Sequence, residues 1–330
     1  MKKTLSTLCS SLLLAGTLGL TAQAQEPPPR PECIAPASPG GGFDITCRIA
    51  VQTFEKLELL PSPMRVIYMP GGIGAVAYNT IVAQRPDDPN IIVAFSAGSA
   101  LNLATGKYGR YTVDDVKWVS IIGTDYGIVA VRDDSPYKNL KDLMEAVKAD
   151  PGKVPFGAGG TVGSQDWMKV ALLVDSAGVD PKTMRFVPFE GGGEVTTALL
   201  GGHVAAMSGD AAELLGQIEA GDIRVLAVLN DERLSGELFA DIPTAQEQGY
   251  DVVWETYRGF YTGPKVSDEA YQFWVDAFTK VMETEEFAKI RQERGLFELS
   301  MVGEEADKYV KDSVKEYREL ATEIGLGVSQ

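Results

Sequence analysis

The groups in this chain best placed to do chemistry are backbone amides. Pro39-Gly40-Gly41-Gly42-Phe43-Asp44 follows the apolar run Cys33-Ile34-Ala35 and precedes a segment, 45–57, in which Ile45, Ile49, Phe54 and Leu57 fall on one helical face. That order predicts a strand, a glycine loop and a helix start, with Asp44 placed to cap the first turn. Unpaired N–H groups at a helix start, reached through a loop without side-chain bulk, bind anions. Three further loops, 96–99, 157–164 and 190–194, also join a predicted strand to a predicted helix. Any one of them alone reads as ordinary turn glycine. Four helix starts around one cleft would favour a ligand with several carboxylates, each start contributing about 0.3–1 kcal/mol.

Side-chain chemistry is sparser. Gly72-Ile73-Gly74-Ala75-Val76-Ala77 satisfies the dinucleotide pattern, but no acidic residue stands at the usual distance beyond it, so a tight turn is expected and no cofactor. Ser96, in Ala94-Phe95-Ser96-Ala97-Gly98, lies in a near-match to a hydrolase elbow whose first glycine is replaced. A triad needs a base, and the single histidine, His203, sits in the turn Gly201-Gly202-His203-Val204. Ser96 is therefore expected to donate a hydrogen bond into the cleft. Histidine and cysteine are too scarce for a metal site. Asp133-Asp134 and Glu285-Glu286 are adjacent rather than facing, and read as solvated surface. Arg48, four residues after Asp44, predicts an intrahelical ion pair. Arg258, among Trp254, Tyr257 and Tyr261, offers either a fork for a ligand carboxylate or a structural pair with one of many acids.

The chain that must position these groups has 330 residues, 45% of them hydrophobic, enough for two modest domains. Met1-Lys2-Lys3, an apolar run over 12–20 and Ala22-Gln23-Ala24 before Gln25 have the three parts of a secretory signal peptide spanning 1–24. Its loss removes two lysines and moves the formal charge from -16 to about -18, which makes nucleic acid and anionic membrane surfaces poor partners. An anionic ligand stays admissible, because salt screens distant charge over about 10 Å while helix ends act at contact. Cys9 leaves with the signal. Cys33 on the first strand and Cys47 one turn into the next helix either form a disulfide, worth about 3 kcal/mol in the loop-entropy picture, or remain buried thiols.

Strand, loop and helix then recur. Strands are expected at 64–69 and 91–95, a crossing strand at 118–131, and further strands at 154–156, 184–189, 204–207 and 223–229. A second crossing is expected at 252–261, followed by amphipathic helices at 267–282, 285–294 and 304–324. This is an α/β pattern of two linked lobes, each a mostly parallel sheet flanked by helices. The expected division is 25–124 with about 225–262 for lobe 1, about 125–224 for lobe 2, and C-terminal helices in 263–330 packing across both. Ligands of such sheets bind outside the carboxyl ends of the strands, where the glycine loops lie.

Several segments taken together resemble one family. Cys33-Ile34-Ala35-Pro36-Ala37 with Pro39-Gly40-Gly41-Gly42-Phe43-Asp44, Tyr68-Met69-Pro70-Gly71-Gly72-Ile73-Gly74, Gly163-Ser164-Gln165-Asp166-Trp167, Phe189-Glu190-Gly191-Gly192-Gly193-Glu194, Ser208-Gly209-Asp210 and Arg258-Gly259-Phe260-Tyr261 are similar to TctC receptors of the tripartite tricarboxylate transporters, within the wider Bug group. The resemblance implies a two-lobed periplasmic binding protein, type II-like, that closes on a carboxylate and hands it to TctA- and TctB-like membrane proteins. It places one carboxylate at Gly41, Gly42, Phe43 and Asp44, and the other end of the ligand at Thr161, Ser164, Gln165, Phe189 and Gly191. Ser96, Ser99, Asp210 and Arg258 complete the expected set. The branch favours citrate or a similar acid; a dicarboxylate or aromatic acid is the alternative within the family. A monomer is expected. A ligand sensor feeding a kinase and an exported serine hydrolase are the competing classes.

Overall fold

In the computed structural model, which describes residues 26–323, strand and helix alternate much as the sequence pattern predicts. The signal segment expected at 1–24 and the end of the last predicted helix, at 324, lie outside the described residues.

The first half runs β1 (Glu32–Ala35), α1 (Gly42–Lys56), β2 (Arg65–Tyr68), α2 (Ala75–Gln84), β3 (Ile91–Ser96) and α3 (Ala97–Ala104). Its three strands pair in parallel in the order β2-β1-β3. β4 (Lys117–Arg132) then leads to α4 (Leu140–Ala149), β5 (Phe156–Gly159), α5 (Gln165–Ser176), β6 (Phe186–Phe189), α6 (Gly192–Leu200) and β7 (Ala206–Asp210). Here too the strands are parallel, in the order β7-β5-β6. The chain continues through α7 (Leu215–Glu219), β8 (Ile223–Val228), β9 (Glu255–Thr262), α8 (Asp268–Met282), α9 (Glu285–Glu293), β10 (Met301–Val302) and α10 (Gly303–Glu323).

Two antiparallel strands join the halves. β9 pairs with β3 and with β4, and β4 passes on to pair with β7 and β8, giving the path β2-β1-β3-β9-β4-β7-β5-β6. β4 is therefore one 16-residue strand serving both halves. Its residues 117–126 lie against β9 and its residues 127–130 against β7. β8 lies against residues 128–132, beside the second half's strands.

Helices cover both faces of each half, which explains why β3 and most of β4 read as unbroken apolar runs without alternation. In the first half Phe54, Trp274, Phe278 and Phe287 pack on one face, and Tyr78, Trp118, Tyr261 and Val310 on the other. The second half is filled by Phe156, Met168 and Leu173 on one face and by Val195, Leu199 and Leu214 on the other. α10 contributes Val310 and Val314 to the first half's core and lays Tyr317 and Leu320 against the second's. Cys33 and Cys47 are joined in a disulfide, Cα–Cα 5.7 Å, that ties β1 to the second turn of α1.

Candidate ligand-binding site

Four helix starts, two from each half, line one small cavity. Gly41 and Gly42 come from α1, Ser96 and Gly98 from α3, Ser164 and Gln165 from α5, and Gly191 and Gly192 from α6. They are not equivalent. Ser96 caps α3, accepting from the Gly98 N–H at 3.2 Å, while Ser99 accepts from the Ser96 N–H at 3.3 Å. Ser164 caps α5. α1 and α6 begin on Gly41 and Gly191, which have no side chain to cap with, so their first amides must find other acceptors.

One such acceptor is part of the protein. Glu213, in the 3-10 turn Ala211–Leu214 after β7, places Oε1 2.7 Å from the Gly42 nitrogen and accepts its hydrogen bond. The same carboxylate lies against Gly192, where any Cβ would collide with it. A Cβ at Gly42 would collide with the Arg258 guanidinium. These two glycines leave room for the protein's own charged groups as well as for amides.

Beneath the helix starts lies a buried ion cluster. Arg258, 2% exposed, donates Nε and Nη2 to Asp125 at 3.2 and 2.8 Å, and Nη2 to Asp210 at 2.8 Å. Lys169, fully buried, donates to Asp166 at 2.8 Å, to the Gly209 carbonyl at 3.0 Å, and to Asp210. Asp125 sits on β4 where the strand passes between halves, Arg258 on β9, and Asp210 at the end of β7, so the cluster crosses the junction. With Glu213 it holds four carboxylates and two cations. Fully ionised it would carry an excess of two negative charges, which faces four helix starts of about half a positive charge each.

Protonation follows from this crowding. Burial, reinforced by the charges of Asp210 and Asp166, pushes the Glu213 carboxyl up to about 8. Asp125 is raised by burial to about 6 despite Arg258. Burial alone would also raise Asp210, but Lys169 and Arg258 hold it below its ordinary value. Burial opposes the charge of Lys169 and of Arg258; the surrounding aspartates win and raise both.

The inner cavity measures about 40 Å³, room for a water or two. Beyond it, a vestibule of about 540 Å³ is lined by Lys107, Thr161, Phe189, Glu190 and Glu194. Ile73, Asn102, Ser164 and Glu190 border both chambers. Ile73 has φ of +46°, a conformation that costs a β-branched residue steric strain, and its carbonyl is held by the Tyr108 hydroxyl at 2.8 Å and Asn102 at 3.3 Å. Across the mouth, Ser38 donates to Glu194 at 2.6 Å and Lys107 to the Val162 carbonyl at 3.0 Å. Both contacts join the two halves across the cleft.

Of the expected site residues, Gly41, Gly42, Phe43, Ser96, Ser164, Gln165, Gly191, Asp210 and Arg258 line the inner cavity, and Thr161 and Phe189 line the vestibule. Asp44 does not take the capping position: α1 starts three residues earlier than the sequence suggests, and Asp44 accepts from the Gly40 N–H at 2.9 Å while pairing with Arg48 at 2.9 Å. The predicted Asp44–Arg48 pair is thus present. Ser96 and Ser99 spend their side chains on the cap of α3. Arg258 takes the structural alternative, its fork held by Asp125 and Asp210. His203 is exposed in its turn. Asp125, Lys169 and Glu213 lie outside the set expected from the sequence, although a charge inside an apolar strand or on an apolar helix face is itself a sign of a buried partner.

Comparison with known proteins fixes the family. The sequence profile of the "Tripartite tricarboxylate transporter family receptor", TctC, matches residues 52–326. The chain belongs to the TctC family. BugT of Bordetella pertussis is similar at 28% identity over 243 residues, 72% of each chain. Among solved structures, that of the periplasmic binding protein BugD superposes with a TM-score of 0.79 at 21% identity, covering 90% of this chain and 98% of the other. MatC of Rhodopseudomonas palustris with bound malate superposes with a TM-score of 0.74 at 18% identity, covering 88% and 98%. The two-lobed α/β arrangement of these TctC-type neighbours is the fold described above. Among the described residues no helix is long and apolar enough to cross a membrane.

Proposed function

We propose that this TctC-family chain is an extracytoplasmic receptor that binds a small organic acid in the cleft between its halves and delivers it to TctA- and TctB-like membrane proteins. The observation that carries this reading is the convergence of four helix starts, two from each half, on one cavity. An acid bridging them holds the halves together, and its capture becomes a change of shape that a membrane partner reads. The protein acts as a monomer in the periplasm after removal of residues 1–24, and it binds its ligand without transforming it.

The ligand carries two or three carboxylates. One is seated in the inner cavity at Gly41, Gly42 and Phe43, opposite Ser164, Gln165 and Gly191, and the remainder extends toward Thr161 and Phe189. Citrate is the tricarboxylate of this description, and the malate held by MatC supports a dicarboxylate as the second reading. The unpartnered, buried Oε1 of Gln165 adds an acceptor suited to a ligand hydroxyl. The lobes are taken as 25–124 with 255–262, and about 125–254, under the C-terminal helices; the boundary expected near 225 moves because β8 and the residues through Trp254 pack with the second half's core.

Thermal unfolding of the mature protein with citrate, aconitate, tricarballylate, succinate, malate, glutamate and terephthalate tests this. A ligand at a hundred times its Kd stabilises by about 2.7 kcal/mol, a rise of several degrees. At least one of these acids is expected to give that rise; none doing so counts against the reading.

A further inference from the structure

A receptor for carboxylates would be expected to offer open amides, yet the seat at the start of α1 is taken. The Gly42 N–H donates to Glu213 at 2.7 Å, and the same carboxylate rests where a Cβ of Gly192 would lie, at the start of α6. It also approaches the Asp210 N–H at 3.4 Å. Glu213 thus makes the contacts across the cleft that a bound acid would make: its own element follows β7 in the second half, and Gly42 opens α1 in the first.

We propose that Glu213 is an internal stand-in for the ligand's carboxylate, seated at the start of α1 across the cleft and displaced when an acid binds. This deepens the receptor reading and rests on it for the identity of the seat. The glycine at 192 supports the assignment, since any side chain there would push Glu213 off the seat. The hydrogen bond itself sets the competition: a carboxylate reaching the Gly42 amide must take the position that the Glu213 oxygen holds. The charge count agrees. The floor already sets three aspartates against two cations, and a further anion beside Glu213 would face Asp210 and Asp166 with only Arg258 and Lys169 opposed to them.

Two consequences follow. The stand-in weakens binding, because each ligand molecule must compete with a group present at high effective concentration. It also holds the unliganded protein shut. Glu213→Ala and the near-isosteric Glu213→Gln test both. Calorimetric titration with the acid that most stabilises wild type is expected to give at least tenfold tighter binding for Glu213→Ala and a smaller gain for Glu213→Gln, whose amide oxygen still accepts from Gly42. Solution scattering without ligand is expected to give a larger radius of gyration for Glu213→Ala than for wild type. Binding weakened in both variants would make Glu213 a ligand contact and overturn the proposal, as would an unliganded radius identical to wild type. The scattering comparison needs no ligand. If neither wild type nor variant binds any acid while the radii still differ, the receptor reading fails and the cross-cleft seat stands.

Discussion

At the scale of single residues, the cleft floor is a problem of buried charge and is solved by pairing. Lys169 is fully buried, and it is tolerated there because Asp166, Asp210 and the Gly209 carbonyl take its three protons. Lys169→Met keeps the volume and removes the charge, leaving two aspartates facing each other without their shared cation. Urea unfolding is expected to show a loss of about 3–5 kcal/mol with an unchanged m value. A loss below 1 kcal/mol would mean that the aspartates simply take up protons. The same reasoning explains what the sequence hides. Lys169 and Asp125 stand out as charges within apolar segments, but which acid meets which base depends on tertiary placement, and Arg258 reads equally well as a ligand fork. The glycines at 42 and 192 suggest amide access; that they also make room for Arg258 and Glu213 is a fact of packing.

Among elements, those with a local rule were legible and those set by their neighbours were less so. The strand-loop-helix units around β1, β3, β5 and β6 follow from apolar runs ending in glycine or serine, and their loops are the ones that meet. The long β4 was legible as a crossing strand because nothing in 117–132 breaks it. Boundaries moved where glycine allowed it: α1 takes Gly42 as its first residue, and α6 takes Gly192, because a glycine start leaves the amides uncapped by their own side chains. The disulfide makes a prediction at this scale. Cys33 and Cys47 close a short loop that contains the whole seat, 39–44. Cys33→Ala/Cys47→Ala is expected to lose about 2–4 kcal/mol of stability by thermal unfolding. Ligand affinity is also expected to fall, since the loop's ordering would then be charged against binding. Unchanged affinity in a folded double variant would show that the loop is held by its neighbours alone.

For the whole molecule, pH is the global variable. Glu213 and Asp125 are raised to about 8 and about 6, so the folded, shut state binds more protons than the unfolded chain between about pH 4 and 8. Stability therefore falls as pH rises through that window. Asp210, which is lowered, works the other way and only at acid pH, whereas Lys169, which is raised, works in the same direction as Glu213 but only above the ordinary lysine range. Differential scanning calorimetry is expected to show Tm falling from pH 5.5 to 8.5 in wild type and falling less in Glu213→Gln, by about 2–4 °C for each kcal/mol relieved. Parallel curves for the two proteins would remove Glu213 from the account.

The unbroken β4 has one more implication. A ribbon hydrogen-bonded into both halves cannot let them slide past each other without breaking its ladders, so their relative motion reduces to bending or twisting near 125–127, where its partners change from β9 to β7. Asp125, bound to Arg258, stands at that fulcrum. Points on the fulcrum hardly travel when the halves swing, whereas the mouth contacts Ser38–Glu194 and Lys107–Val162 lie out on the lever arms. The Asp125–Arg258–Asp210–Lys169 part of the floor can thus stay assembled as the halves swing, while the rim contacts and the Glu213 seat at Gly42 are the ones remade.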